Sequence, residues 1–563
     1  MTDNQQNEKP CLVQTEQGFS VIYKNRSLYS KYNPASAALR TVQSLNILPQ
    51  TLVICYSPVL GYGLQELVQK NENSSFILLI ENDPVLFEFS KPYIEEILAP
   101  YNAAQKEQKA FYCFVQNDKN LFELFANKTI PDFSNFRRCL PVELSGGAKL
   151  NQPFYQNLTA LCDDAVNRFW RNRITLVKMG RLYARNLLKN LSKVPFSSPL
   201  AAKSISRPIL VCASGPSIDY IIEQIKGAAE FFYIIAVDNA FLPLLKNGII
   251  PDAVIAVESQ LANEKAFLGT AQSGIKIIGD LTSRPHILSI PGGSFSFFLS
   301  EYENCRYIKR IISQELFPFP VIKPLGSVGL SAVEIALILR ASPALPVFFA
   351  GLDFSYTPNK SHCKESVFPR NKLNGHNRLN PIENSPHCFG ANSFYIQGKN
   401  GVFITEPALA SYGQTFAQRY SKVQNLFDVS PVGMDTNCAK CSVEQMAEYG
   451  KLFAAENPQL QAENLQSRIA AKNIPDKELF DRIKHFYIEE IERLEELRQL
   501  LINGGDTNRM LALIEEREYL FLHFADGYKP VTAGNTSMLK RIRSEIDFFI
   551  KDLTLALKNM GEH

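Results

Sequence analysis

The chain has 563 residues, of which 45% are hydrophobic and 20% are charged. This composition is typical of a globular protein with more than one domain, and it excludes a fibrous or disordered chain. The 59 Lys and Arg residues nearly balance the 56 Asp and Glu residues, so the formal net charge is only +3. Such a balance argues against nucleic acid or an anionic bilayer as a general electrostatic partner.

The start of the chain and the cysteines bear on the cellular compartment. Polar residues follow Met1, and the longest apolar runs are interrupted by charges such as Asp238 and Arg340. Neither a signal peptide nor a membrane span is expected. The 11 cysteines are scattered through apolar segments, which is typical of buried thiols and not of a disulfide scaffold. We therefore expect a cytoplasmic protein.

Residues 1–150 are predicted to form a small Rossmann-like α/β domain. A buried strand at 51–56 precedes a glycine turn at 60–63, and a second strand at 76–80 ends in Glu81. In nucleotide-binding half-folds an acidic residue at this place holds a ribose hydroxyl. Because the third glycine of that pattern is missing, a structural domain without a ligand is favoured over a ligand-binding one.

A helical bridge and a linker are predicted over residues 151–207. Apolar residues recur three and four positions apart up to residue 191, as on one face of a helix. Prolines among serines follow at 192–208, which is typical of a linker.

The central part of the chain, residues 208–440, alternates short apolar strands with intervals of helix length. Continuous apolar strands are covered on both faces, so the pattern predicts a parallel sheet. The strands are expected at 209–213, 232–237, 253–257, 275–278 and 347–350. A hairpin is expected at 394–404, and residues 441–563 are predicted to form an all-helical domain.

The first motif in the central part is a tight turn that joins a strand to a helix. Ser214, Gly215, Pro216 and Ser217 follow the strand at 209–213. Proline suits the start of a helix, and free amides there favour an anion such as a phosphate. The alternative is a plain strand-to-helix connection.

Three polar residues follow the next two strands. Asp238 and Asn239 stand where a strand ends, and Glu258 follows the strand at 253–257. Asp238 is suited to a ribose hydroxyl or a metal ion, and Asn239 to a base edge or a sugar hydroxyl. Simple helix capping explains such a pair equally well, and the metal, if any, is left open.

A second glycine-bearing turn opens an apolar helix at Gly326 and Ser327. Its amides would form a second anion site facing the first, which suits a donor with two negative groups. After the strand at 347–350 come Asp353, Tyr356 and His362. A histidine just beyond a strand end is placed where a general base acts, although a lone loop histidine is more often solvated.

These motifs, in this order, resemble the motility-associated-factor (Maf) family of flagellin glycosyltransferases, whose central domain is similar to bacterial sialyltransferases. The residues that carry the resemblance are Ser214–Ser217, Asp238–Ala240, Gly326–Ala332, Gly351–Phe354 with His362, and Gly401–Thr405. The segments at 60–63 and 80–83 match the family's first domain, and the likeness runs from about residue 50 to about residue 440.

The resemblance implies an enzyme that transfers a nonulosonic acid of the pseudaminic or legionaminic type from a CMP-activated donor to Ser or Thr of flagellin. It assigns the phosphate to the amides of Gly215 to Ser217, donor groups to Asn239, and the sugar carboxylate to Gly326 and Ser327. Asp353 and His362 are the implied catalytic residues, with His362 as the base. Magnesium dependence and a homo-oligomeric state are left open.

Two further functions are compatible with the motifs. The Ser-Gly-Pro-Ser and Asp-Asn pattern also resembles hydroxymethyl-dihydropterin diphosphokinases, which use ATP and magnesium. The third possibility is a flagellin-binding protein without catalytic activity.

Overall fold

The strand at Thr51–Tyr56 and its neighbours form a small parallel sheet near the start of the chain. The computed structural model describes residues 9–71, 75–104, 108–301, 305–358, 360–379, 381, 389–459 and 476–561. Their contacts divide the chain into two compact units, residues 1–178 and 179–563. The boundaries expected at residues 150, 207 and 440 remain predictions.

The first unit holds a four-stranded parallel sheet preceded by a three-stranded antiparallel one. The parallel strands are β4 (Thr51–Tyr56), β5 (Phe76–Glu81), β6 (Ala110–Phe114) and β7 (Arg138–Glu143), in the spatial order β6-β5-β4-β7. The antiparallel strands are β1 (Cys11–Thr15), β2 (Gly18–Tyr23) and β3 (Arg26–Ser27). The helices are α1 (Ser36–Ser44), α2 (Leu64–Lys70), α3 (Pro84–Ala103) and α4 (Asp118–Ala126). Every residue of β4 and β5 is buried, as their continuous apolar sequences predict.

Glu81 at the end of β5 is hydrogen-bonded to other residues of the first unit. Its carboxylate accepts hydrogen bonds from the Ser57 hydroxyl at 2.6 Å and from the Tyr155 hydroxyl at 3.0 Å. It also accepts the backbone N–H groups of Asn82 and Asp83 at 2.9 and 3.0 Å. These contacts agree with a structural role for this acidic residue.

The second unit is built on a nine-stranded parallel sheet. Its strands are β8 (Ile209–Cys212), β9 (Tyr233–Val237), β10 (Ala253–Ala256), β11 (Lys276–Asp280), β12 (Phe295–Ser300), β13 (Val321–Ile322), β14 (Val347–Ala350), β17 (Leu426–Asp428) and β18 (Ala439–Lys440). The spatial order is β13-β12-β11-β10-β9-β8-β14-β17-β18. The sequence predicted five of these strands. Three of the four missed strands, β13, β17 and β18, are only two or three residues long, too short to show a pattern.

Helices cover this sheet and continue into the C-terminal region. They are α5 (Gln152–Leu191), which begins in the first unit, α6 (Ile218–Ala228), α7 (Asp238–Lys246), α8 (Arg306–Ser313), α9 (Val328–Leu339), α10 (Val367–Asn374), α11 (Pro407–Tyr420), α12 (Val443–Glu456), α13 (Lys477–Asn503), α14 (Thr507–Glu515) and α15 (Thr536–Gly561). The predicted hairpin is present as β15 (Phe394–Gly398) and β16 (Gly401–Thr405). The α/β class with a helical C-terminal region is thus confirmed.

The last turns of α5 hold the loops that leave two of the strands. The Asn186 side chain donates to the carbonyls of Ser259 and Thr282, each at 3.1 Å. The Asn190 side chain donates to the carbonyls of Leu281 and Ser283 at 3.0 and 2.8 Å. Because buried amides must be satisfied, these bonds fix the loops after β10 and β11. Over the described part of the chain, no helix is both long and apolar enough to cross a bilayer.

Candidate active site at the carboxyl ends of the strands

The order of the strands reverses direction between β8 and β14. From β8 the chain builds the sheet in one direction through β9 to β13, and from β14 it builds the sheet in the other direction through β17 and β18. In open parallel sheets, ligands bind outside the carboxyl ends of the strands at such a point of reversal. The predicted residues that follow β8, β9 and β14 all lie at this edge.

The turn after β8 is fastened to Asp353, which follows β14. The buried Ser217 donates its backbone N–H to Oδ2 of Asp353 at 2.7 Å and its hydroxyl to Oδ1. The Gly215 N–H donates to the Gly351 carbonyl at 2.9 Å. The amides expected to hold a phosphate are therefore engaged by the protein itself, and the anion beside the start of α6 is the Asp353 carboxylate.

Gly215 is needed for this close approach. A Cβ there would lie 2.5 Å from the Gly351 carbonyl oxygen and 2.5 Å from Oδ2 of Asp353. α6 begins at Ile218, so Pro216 precedes the helix and does not open it as the sequence predicted. Burial raises the pKa of Asp353 to about 6, although its bonds from Ser217 act in the opposite direction.

The segment that carries His362 lies against the same turn. The Cys363 N–H donates to the Ser214 carbonyl at 2.8 Å, which brings His362 next to the turn after β8. The imidazole is half-buried, and its Nδ1 lies 3.0 Å from the Ser361 hydroxyl. Tyr356 is buried, and its hydroxyl lies 3.4 Å from Oε1 of Glu406.

The start of α9 meets the segment after β14 as well. Ser327 is the N-cap of α9 but makes no side-chain capping bond, and Gly326 before it is exposed with a φ of +74°. A Cβ on Gly329 would lie 2.3 Å from the Leu352 side chain. Since Gly215 packs against Gly351 and Asp353, the two helix beginnings contact the same segment, residues 351–353.

Asp238 occupies a buried position at the start of α7. Its Oδ1 accepts the N–H of the next residue, Asn239, at 2.7 Å, whereas the N-cap of α7 is Val237 and the helix has no side-chain capping bond. Burial, with a smaller contribution from the Glu258 charge, raises its pKa to about 7, although the bond from the Asn239 N–H acts in the opposite direction. Burial also raises the pKa of Glu258, whose side chain still reaches solvent. Within the described ranges, no group of three or more His, Cys, Asp or Glu residues could hold a metal ion.

Asn263 is the residue here that the sequence reasoning missed. Its side chain is nine-tenths buried and faces Asp238, where it lowers the pKa of the carboxylate. The Asn263 amide lies near enough to lower this pKa by hydrogen bonding, yet neither its Nδ2 nor Oδ2 of Asp238 has a partner in normal hydrogen-bond geometry among the described residues. No sequence signal marks Asn263, because it lies in a short 3-10 segment, Leu261–Phe267, outside the recognised motifs.

A cavity of about 530 Å³ opens elsewhere on this edge, and none of the predicted site residues lines it. Two of its lysines are already paired with carboxylates, Lys399 with Asp428 at 2.6 Å and Lys440 with Asp435 at 2.8 Å. The candidate site lies at the ends of β8, β9 and β14, outside this cavity.

The sequence of the central part matches a family model described as 6-hydroxymethylpterin diphosphokinase MptE-like, over residues 183–359. The chain is also 29% identical over 561 residues to an uncharacterized protein of Treponema pallidum (strain Nichols), covering 97% of this chain and 95% of that protein. A second uncharacterized protein of the same strain is 27% identical over 106 residues, covering 19% of this chain and 50% of that protein.

The fold itself is that of a Maf-type glycosyltransferase. The solved structure titled "Structure of MAf glycosyltransferase from Magnetospirillum magneticum AMB-1" matches 98% of this chain and 92% of that chain, with a TM-score of 0.55 and 17% sequence identity. The resemblance stated from the motifs is thus confirmed as a likeness of fold over nearly the whole chain.

Proposed function

We propose that this protein is a glycosyltransferase that transfers a nonulosonic acid from a CMP-activated donor to Ser or Thr hydroxyls of flagellin in the cytoplasm. The fold likeness to a glycosyltransferase supports the class of reaction. The observation that carries the proposal is the bond from the Cys363 N–H to the Ser214 carbonyl, which joins the segment of His362 to the turn after β8, where the strand order reverses.

In the proposed reaction the acceptor hydroxyl oxygen attacks the anomeric carbon of the sugar. The bond between that carbon and the phosphate oxygen breaks, CMP leaves with the electron pair, and His362 takes the hydroxyl proton. Since the leaving group is already a phosphate monoester, the enzyme has to supply positioning, charge stabilisation and one proton acceptor.

The donor's negative groups are assigned to the start of α9. The Gly215 and Ser217 amides are engaged by Gly351 and Asp353, so they do not offer the phosphate site that the resemblance implied. Ser327 has no side-chain capping bond, and the first turn of a helix attracts anions. Gly326 before it is exposed, and the Tyr412 ring packs beside this turn.

Asp238 and Asn263 are assigned to a hydroxyl group of the donor's ribose. One of their unpaired atoms is an acceptor and the other is a donor, and a hydroxyl group can satisfy both at once. The place also fits, because the acidic residue after the second strand of a Rossmann-like unit takes the ribose hydroxyl. Asp238 follows β9, which is the first strand after the turn at Ser214 and therefore the second strand of the unit that begins with β8.

We expect the wild-type protein to bind CMP more tightly than 2′-deoxy-CMP by about ten-fold, since one buried hydrogen bond is worth roughly 1 kcal/mol or somewhat more. In Asn263→Ala this preference should fall below about two-fold. Isothermal titration of both nucleotides measures it. Asn247→Ala, which changes an asparagine at the other end of α7, is the control and should keep the preference. Equal binding of the two nucleotides by the wild type would refute the ribose assignment.

The function is tested by incubating the protein with CMP-pseudaminic or CMP-legionaminic acid and purified flagellin. Released CMP and a gain in the intact mass of flagellin equal to the sugar residue are the expected results. CMP release without a mass gain would contradict flagellin as acceptor. Failure of both CMP-sugars to react would contradict the donor.

A diphosphokinase is the second candidate, because the MptE-like match covers residues 183–359. That enzyme would move a diphosphate from ATP to a hydroxymethyl group and release AMP. Incubation with ATP, magnesium and a hydroxymethyl-dihydropterin distinguishes it, since the glycosyltransferase proposal expects no AMP. If neither nucleotide is released while flagellin still binds, a non-catalytic binding role is supported.

A further inference from the structure

The Asp219 carboxylate binds the chain both before and after His362. Before the histidine, the Lys360 ammonium lies 2.6 Å from Oδ2 of Asp219. After it, the Lys364 backbone N–H lies 3.0 Å from each of the two carboxylate oxygens. Asp219 itself is mostly buried, with 12% of its side chain exposed. These contacts fix the two ends of a segment of five residues that has His362 at its centre.

Asp219 belongs to a helix, α6, that is packed into the core of the second unit. It lies in the first turn of α6, where a negative charge is favoured by the helix dipole. The neighbouring Ile218, Ile221 and Ile225 are buried in the core of the second unit, so the helix cannot easily shift. The Lys360 ammonium also lies 5.5 Å from the ring centre of Tyr220, the next residue of α6.

The same helix start is tied to the other parts of the site. Ser217, two residues before Asp219, is bonded to Asp353. Ser214 accepts the Cys363 N–H. The carboxylate therefore links the segment of His362 to the helix that follows the turn after β8.

We infer that Asp219 is a positioning residue that holds His362 in the place required for proton transfer. The inference rests on the proposed function, because that proposal makes His362 the base. Small displacements of a catalytic group have large effects on rate, which is why a residue without contact to the substrate matters here.

The test compares Asp219→Ala with the wild type in the release of CMP from the CMP-sugar in the presence of flagellin. We expect kcat to fall by about ten- to a hundred-fold, while KM for the donor changes by less than about two-fold. Glu223→Ala, an exposed acidic residue one turn further along α6, is the control and should behave as the wild type. Lys360→Met removes the same ion pair by changing the lysine instead of the aspartate, and it should also lower kcat.

A double-mutant cycle with His362 separates positioning from a merely structural role. In the His362→Ala background, Asp219→Ala should cause no further loss of kcat, because there is no base left to position. An equal loss in both backgrounds would overturn the inference and leave the proposed function standing.

Hydrogen exchange of the segment 360–364, followed by mass spectrometry, gives a readout that is independent of turnover. Faster exchange is expected in Asp219→Ala and not in Glu223→Ala, and unchanged exchange would overturn the inference. If the segment loosens but kcat stays the same, Asp219 does not position a catalytic group and the inference is overturned, whereas the role of His362 as base is decided by His362→Ala. If the wild type releases no CMP at all, the proposed function fails, and the inference fails with it.

Discussion

The His362→Ala variant is expected to lose about 10²- to 10⁴-fold in kcat, which is the usual contribution of a general base. KM for the donor should change little, because His362 acts on the acceptor hydroxyl in the proposed reaction. His362 directly precedes Cys363, whose N–H donates to the Ser214 carbonyl in the turn after β8. CMP release at saturating donor and flagellin measures the effect.

The control for this variant is His376→Ala, which removes an exposed histidine further along the same connection. It should retain the wild-type rate. A His362→Ala protein that keeps full turnover would remove this residue as the base and would leave the proposed proton acceptor unassigned.

The Glu490→Gln variant is expected to lower the free energy of unfolding of the second unit by about 3 kcal/mol, as is typical when one member of a buried ion pair is neutralised. Glu490 is 2% exposed and accepts hydrogen bonds from Arg310 at 2.8 Å and Arg517 at 3.0 Å. It also accepts the Tyr519 hydroxyl. Arg517 is 1% exposed, so its charge would lose its buried partner and, among the described residues, keep the exposed Glu516 at 3.4 Å as its carboxylate partner.

Urea unfolding followed by far-UV circular dichroism measures this loss. Glu492→Gln changes an exposed residue of the same helix and should leave the transition where it is. Trp170 is the single tryptophan and belongs to the first unit, so its fluorescence provides an internal control within each sample. A Glu490→Gln transition that coincides with that of the wild type would show that the cluster around Arg517 contributes little to stability.

Much of the fold could be predicted because it follows from local pattern. The continuous apolar runs of β4, β5, β8, β9, β10 and β14 identify buried parallel strands, and the structure has each of them within two residues of its expected bounds. The hairpin at β15 and β16 was likewise marked by its glycines. β12 has an apolar pattern that was overlooked, whereas β13, β17 and β18 are held by their neighbours in the sheet and carry almost no signal of their own.

The sequence indicated where the candidate site lies, but it did not indicate which of its residues are hydrogen-bonded to each other. The motifs after β8, β9 and β14 were recognised because strand ends in a parallel sheet share one edge. The Asp353 carboxylate binds Ser217 at the start of α6. These two residues are 136 positions apart in the sequence, and only folding brings them together. The same holds for Asn263 opposite Asp238, and for Asp219 beside Lys360 and Lys364.

The sequence by itself determined the α/β class, the helical C-terminal region and the edge of the sheet where the candidate site lies, because hydrophobic periodicity and turn residues act over a few positions of the chain. Tertiary structure alone decided which amides remain free for a ligand and which carboxylate holds the segment of His362. The physical reason is that hydrogen bonds and burial depend on distances in space, and residues far apart in the chain compete for the same donors.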